Sequence, residues 1–241
     1  MTTFALIHGG GGSAYDWHLL EPELRARGHD TVAVTLPMSD PEADLWTYAD
    51  AVVEAVGERR PLVVVAHSWG GFVGPLVCAR LEVAALVLVT AMIPSPGESP
   101  EDWWERSGRP ASGTDDEYEL FWNDVPRDLA DRVTAEDAAA AGDLSMDRAT
   151  GAPWPLPAWP DVPTRYALCR DDRLFTPRLR PPARQGTARH RARRAARRPH
   201  GDGLPPTRAG RLPGPGQWRA GSPGERHLSG SWRAGSLGAR T

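Results

Sequence analysis

The residues best suited to chemistry stand in Leu62 to Phe72, "LVVVAHSWGGF". Five apolar residues run into His67, Ser68, Trp69, Gly70 and Gly71. Ala66 to Gly70 follows the pattern G-x-S-x-G, with Ala66 in place of the first glycine. That pattern marks a tight strand-to-helix turn that lifts a serine hydroxyl above the edge of a sheet. Positions two before and two after the serine must be small, which Ala66, Gly70 and Gly71 satisfy. Ser68 is therefore read as a nucleophile, which needs a base to take its proton and an acid to orient that base. The helix expected to begin here adds amides and a dipole that favour developing negative charge. The plainer alternative is a serine in a glycine turn; the buried run before it and the helical run after it favour the elbow.

A second glycine stretch, "LIHGGGG" (Leu6 to Gly12), follows the first apolar run. It lacks the Lys and Ser/Thr of a phosphate-binding P-loop. Nor does the chain hold G-x-G-x-x-G followed by a ribose-binding acid. The stretch is read as an oxyanion loop, in which two backbone N–H groups face the oxygen that becomes negative. Gly10 and Trp69 are the expected donors. His8 and His67 flank the site and are read as shaping loops or pocket walls. His18 is read as a helix-surface residue and His29 as a turn residue.

These residues need elements to hold them. "TFALIH", "DTVAVTLP", "LVVVAH", "AALVLVTA" and "TRYALCRDD" are short apolar or β-branched runs. "WHLLEPELRARG", "LWTYADAVVEAVGER" and "GFVGPLVCARL" carry helical spacing, the last with Pro75 in its first turn. Runs of one kind alternating with the other predict βαβ units and a mostly parallel sheet with helices on both faces. The stretch 94–159 breaks the alternation and is rich in Trp, Pro and acids. It is read as a helical cap over a pocket, with a peripheral subdomain as the alternative. Its Trp103, Trp104, Phe121 and Trp122 point to a small apolar or aromatic substrate, or simply to core packing.

At 241 residues the chain suits one domain with a sizeable core. It opens without a basic segment leading into an apolar core, and no apolar run approaches the roughly 18 to 20 residues that span a bilayer. With two cysteines, Cys78 and Cys169, a reduced cytoplasmic protein is expected, both thiols serving as small apolar residues. The net charge of −3 conceals a division. Residues 1–176 hold 13 Arg against 29 acids, and residues 177–241 hold 15 Arg against 2. There is no Lys. Pro and Gly supply 20 of the last 65 residues, among which are five Leu, two Trp and no Val, Ile, Phe, Tyr or Met. Such a segment buries too little apolar surface to offset its ordering entropy, so disorder is expected there.

From Thr3 to about Thr176 the chain resembles the α/β-hydrolase family. "HGGGGSAYDWHLLEPELRARGHDTVAVTLP" is similar to the opening of small esterases and hydroxynitrile lyases related to plant methylesterases. "VVVAHSWGGF" resembles their elbow, and "LVLVTAMIPSPGES" their strand into the cap. The resemblance implies an α/β-hydrolase domain over 1–176, a cap over about 94–159, and a Ser-His-Asp triad. "LCRDDRLFTP" is similar to the segment carrying the catalytic acid, which implies Asp172, with Asp171 as the fallback. The implied base is a histidine on a loop after the last strand. The tail 177–241 does not read like that loop. With GC-rich codons, Arg189 to Ala209 read one base later becomes G-T-G-P-D-E-L-P-G-G-H-M-A-T-A-S-R-P-P-E-L. This resembles the family's histidine loop, its histidine codon straddling Pro199 and His200. A frameshift is therefore expected, and His200 is the candidate base of the chain as it stands.

The leading expectation is a serine hydrolase acting on a carboxylic ester or related small acyl substrate. No metal or organic cofactor is implied. Three alternatives stand beside it: a catalytically dead or ligand-binding hydrolase; a hydroxynitrile-lyase-type carbon–carbon lyase, disfavoured by the missing Lys; and a nucleic-acid-binding tail, whose arginines GC-rich frameshifted coding explains equally well. No nucleic-acid or membrane partner is expected.

Overall fold

The computed structural model describes residues 1–107, 117–122, 125–169 and 172–174. Among the described residues five strands form one parallel sheet: β1 (Thr3–Ile7), β2 (Asp30–Val34), β3 (Leu62–His67), β4 (Ala85–Val89) and β5 (Thr164–Ala167), in the order β2-β1-β3-β4-β5. Ile7 stands opposite Ala66, His67 opposite Val89, and Val89 opposite Ala167. The carboxyl ends of all five strands therefore share one rim, where open α/β sheets place their ligand sites.

The two-residue period of each strand sorts its side chains between two faces. Ala5, Ile7, Val64, Ala66, Leu86 and Leu88 enter the main core. Leu6, Val63 and Val65 join Trp17 on the other face, with Leu20 and Leu24 of helix α1 (Leu20–Ala26) against them. Both sets are apolar, which is why β3 reads as an unbroken hydrophobic run. Each of the Val, Leu and Ile side chains among them contributes about 1.5–3 kcal/mol when fully buried.

Helix α2 (Leu45–Val56) covers the main-core face with Leu45, Tyr48, Ala49, Val52 and Val56, a helical stripe. It starts at a reciprocal capping box between Asp44 and Thr47. Helix α3 (Gly74–Arg80) carries Pro75 in its first turn, where no N–H is required. The expected insertion is helical: α4 (Pro100–Ser107), α5 (Glu117–Trp122), α6 (Arg127–Ala141) and α7 (Asp147–Gly151). Trp122, Val125, Ala130 and Val133 form its own small core, with Tyr15 of the main body packed on it. Trp103 and Trp154 instead join the main core, so the insertion shares its interior with the sheet domain. Among the described residues no helix is long and apolar enough to cross a membrane. His200, Asp171 and the tail expected to be disordered (177–241) lie outside the described residues.

Candidate active site

Ser68 follows β3 directly, 3% exposed, with φ 50°. This is left-handed backbone, which costs a non-glycine residue about 1 kcal/mol or more and persists only where surroundings impose it. Those surroundings are two loops on the same rim. Behind the serine, the Met92 N–H donates to the Ser68 carbonyl at 2.9 Å. Gly71 lies flat on Met92, where an added Cβ would stand 1.9 Å from the Met92 carbonyl oxygen. In front, Gly9 rests against the serine: a Cβ there would sit 3.1 Å from the Ser68 Cβ.

The helix expected to start at the serine starts later. Ser68–Phe72 is a 3₁₀ turn, closed by the Val73 N–H onto the Gly70 carbonyl at 3.0 Å, and α3 follows from Gly74. A left-handed residue cannot join an α-helix, so the tighter turn absorbs the change of direction.

The loop after β4 is pinned residue by residue. Thr90, also left-handed at φ 38°, donates its N–H to the Ala167 carbonyl of β5 at 2.8 Å. Ala91 O accepts from Tyr166 Oη and Ile93 O accepts from Trp103 Nε1, each at 3.0 Å. Met92 between them holds the serine. On the other side of the elbow, Trp154 Nε1 donates to the Phe72 carbonyl at 3.0 Å.

The glycine loop is anchored by His8, which is fully buried. Its Nε2 accepts the Leu36 N–H at 2.9 Å, so Nδ1 carries the proton and donates to the Gly9 carbonyl at 2.7 Å. Burial holds its pKa down to about 4, against a smaller opposing effect of the Gly9 bond. With both nitrogens committed, His8 is a staple and not a base. His67 keeps part of its surface accessible and meets Trp17 edge-on at 6.3 Å. Burial of its ring and the neighbouring His8 likewise lower it to about 4. His18 stacks on Tyr15 at 4.2 Å, and His29 meets Phe4 edge-on at 5.2 Å. None of these four histidines, all those in the described residues, hydrogen-bonds Ser68.

Trp69 is 2% exposed, its ring packed between Tyr48 at 5.6 Å and Phe72 at 5.5 Å. Its side chain is core, which leaves only its backbone for chemistry. Gly10 is buried in the adjoining loop. Asp172 follows β5 on the same rim, with β4 between it and the serine's strand. Its Oδ1 accepts the Leu174 N–H at 2.9 Å. Burial pushes the Cys78 thiol up to about 12, which suits an inert apolar residue. Among the described residues no group of three or more His, Cys, Asp and Glu could hold a metal ion.

Sequence reasoning passed over one buried contact. Ser13 Oγ accepts the Tyr15 N–H at 3.0 Å and donates to Asp137 Oδ1 of α6 at 2.7 Å. Asp137 is 2% exposed. The signal was present, since Ala130, Val133, Asp137 and Ala141 make one helical stripe with a single acid in it.

A model of the alpha/beta hydrolase family matches residues 4–227. An esterase of rice (Oryza sativa subsp. japonica) is 33% identical over 108 residues, covering 39% of this chain and 40% of the rice protein. Polyneuridine aldehyde esterase of Rauvolfia serpentina is 29% identical over 108 residues, covering 40% and 41%. The chain thus matches less than half the length of these two relatives. An extracellular alpha/beta-hydrolase of a Paenibacillus species superposes with a TM-score of 0.57 at 20% identity, over 74% of this chain and 85% of that one, a likeness of fold.

Proposed function

We propose that this chain, which belongs to the alpha/beta hydrolase family, is built to hydrolyse a carboxylic ester or related small acyl substrate through Ser68. The observation that carries the reading is the left-handed Ser68, held between the β4 loop and the glycine loop on the carboxyl rim of a parallel sheet. Such strain is characteristic of a nucleophile elbow. Ser68 Oγ attacks the acyl carbon. The amides of Gly10 and Trp69 receive the charge that forms on the carbonyl oxygen. A histidine oriented by Asp172 takes the serine proton and returns it to the leaving group. The helical insertion, about 94–159, serves as the cap.

The base is assigned to His200, where the shifted reading frame yields the family's histidine. A second reading follows from the four described histidines, none of which reaches Ser68: the triad is broken in this chain, and the frame-restored chain is the active one. One experiment separates the two. The chain, its frame-restored counterpart and Ser68→Ala versions of both are treated with a fluorophosphonate probe. Labelling at Ser68 in the chain as it stands supports the first reading. Labelling of the restored chain alone, about 10³-fold faster or more, supports the second. Absence of labelling in both overturns the hydrolase assignment.

A further inference from the structure

The Ser13–Asp137 hydrogen bond joins two parts of the molecule 124 residues apart in sequence. Ser13 follows directly on the glycine loop and is fully buried. Its hydroxyl caps the 3₁₀ turn Ala14–Trp17 while donating to the carboxylate of Asp137. The loop between His8 and Ser13 is all glycine, and Gly11 lies at φ 72°. Four glycines do not choose one conformation by themselves, because each visits both halves of backbone space at little cost. Something outside must choose for them. At one end His8 holds the Gly9 carbonyl. At the other, Ser13 is held by the insertion. On α6 the apolar stripe is interrupted only by Asp137; an alanine there would continue it without burying a carboxylate.

We infer that Asp137 is a positioning residue: through Ser13 it sets the glycine loop, and with it the Gly10 amide, so that docking of α6 completes the oxyanion hole. The catalytic consequence rests on the hydrolase reading; the ordering of the loop rests on the hydrogen bond itself. The inference deepens that reading, because it makes the insertion part of the catalytic apparatus.

The test uses the full chain and the variants Asp137→Ala, Asp137→Asn, Ser13→Ala and Asp137→Ala/Ser13→Ala. Amide hydrogen exchange is followed over Gly9 to Tyr15 and over β3 and β4. Loss of one buried charge-assisted hydrogen bond is expected to raise exchange in the loop about tenfold in either alanine variant, with β3 and β4 unchanged. The double variant is expected to lose less than the sum of the singles, because both singles remove the shared Ser13–Asp137 bond. Asp137→Asn keeps an oxygen that accepts from Ser13 Oγ and is expected to preserve the loop. Hydrolysis of p-nitrophenyl acetate is measured alongside. Misplacing one oxyanion donor is expected to lower kcat about 100-fold at unchanged KM. Unchanged loop exchange in Asp137→Ala, or exchange rising equally in β3 and β4, overturns the inference. Altered exchange with unchanged kcat overturns its catalytic part. Should neither the parent chain nor its frame-restored counterpart turn over ester while the exchange pattern holds, the hydrolase reading falls and the loop-ordering role stands.

Discussion

Ser68 and Gly71 show how one position's backbone is set by a neighbour's absence of side chain. Gly71 permits the Met92 carbonyl to approach, and Met92 in turn holds the Ser68 carbonyl. Gly71→Ala places a methyl where the Met92 carbonyl stands. It is expected to destabilise the fold by about 3 kcal/mol, read from urea unfolding, and to slow probe labelling at Ser68. Gly97→Ala serves as the contrast. Gly97 also has positive φ, at 78°, but no atom lies within 4 Å of its added Cβ. Only the backbone strain of about 1 kcal/mol is expected there. Tyr48 makes a different residue-scale prediction. Its hydroxyl is buried with no hydrogen-bond partner among the described residues, and burial, with Asp40 and Asp44 nearby, pushes its pKa up to about 12. Tyr48→Phe is therefore expected to leave stability unchanged or raise it by about 1 kcal/mol, because an unsatisfied polar group is removed from the core.

At the scale of elements, the strands and helices α1 to α3 were legible because their patterns are local. β3 carries apolar residues at both parities, and α2 carries them at helical spacing behind the Asp44–Thr47 box. The 3₁₀ turn at Ser68–Phe72 was not legible, because it arises from the left-handed serine and not from propensity. The aromatic residues of the insertion were legible as a group but not in their allotment. Trp103 and Trp154 anchor the β4 loop and the elbow, while Trp122 belongs to the insertion's own core.

At the scale of the whole molecule, the buried imidazole of His8 ties stability to pH. Its folded value of about 4 lies below the ordinary 6.5, so the native state favours the neutral ring. The stabilisation is complete above pH 6.5 and is lost as pH falls from 6.5 towards 4, where the unfolded chain takes up the proton first. The loss amounts to about 3 kcal/mol by linkage. A protonated His8 would also present an N–H to the Leu36 N–H it now accepts. Urea midpoints measured across pH 4 to 7 are expected to fall on the acid side, and to fall less steeply in His8→Gln.

By itself the sequence determined the order of the strands and of helices α1 to α3, the two-faced burial of β3, and the small residues that let Ser68 turn. These follow from spacing over a few residues, where side-chain direction repeats with the backbone. Only the tertiary structure decided what holds the site: Leu36 against His8 across 28 residues, Trp154 against Phe72 across 82, and Asp137 against Ser13 across 124. Such pairs have no period to betray them. They come together because parallel register aligns the strand ends on one rim, and because helices packed in a shared core bring distant donors within 3 Å of their acceptors.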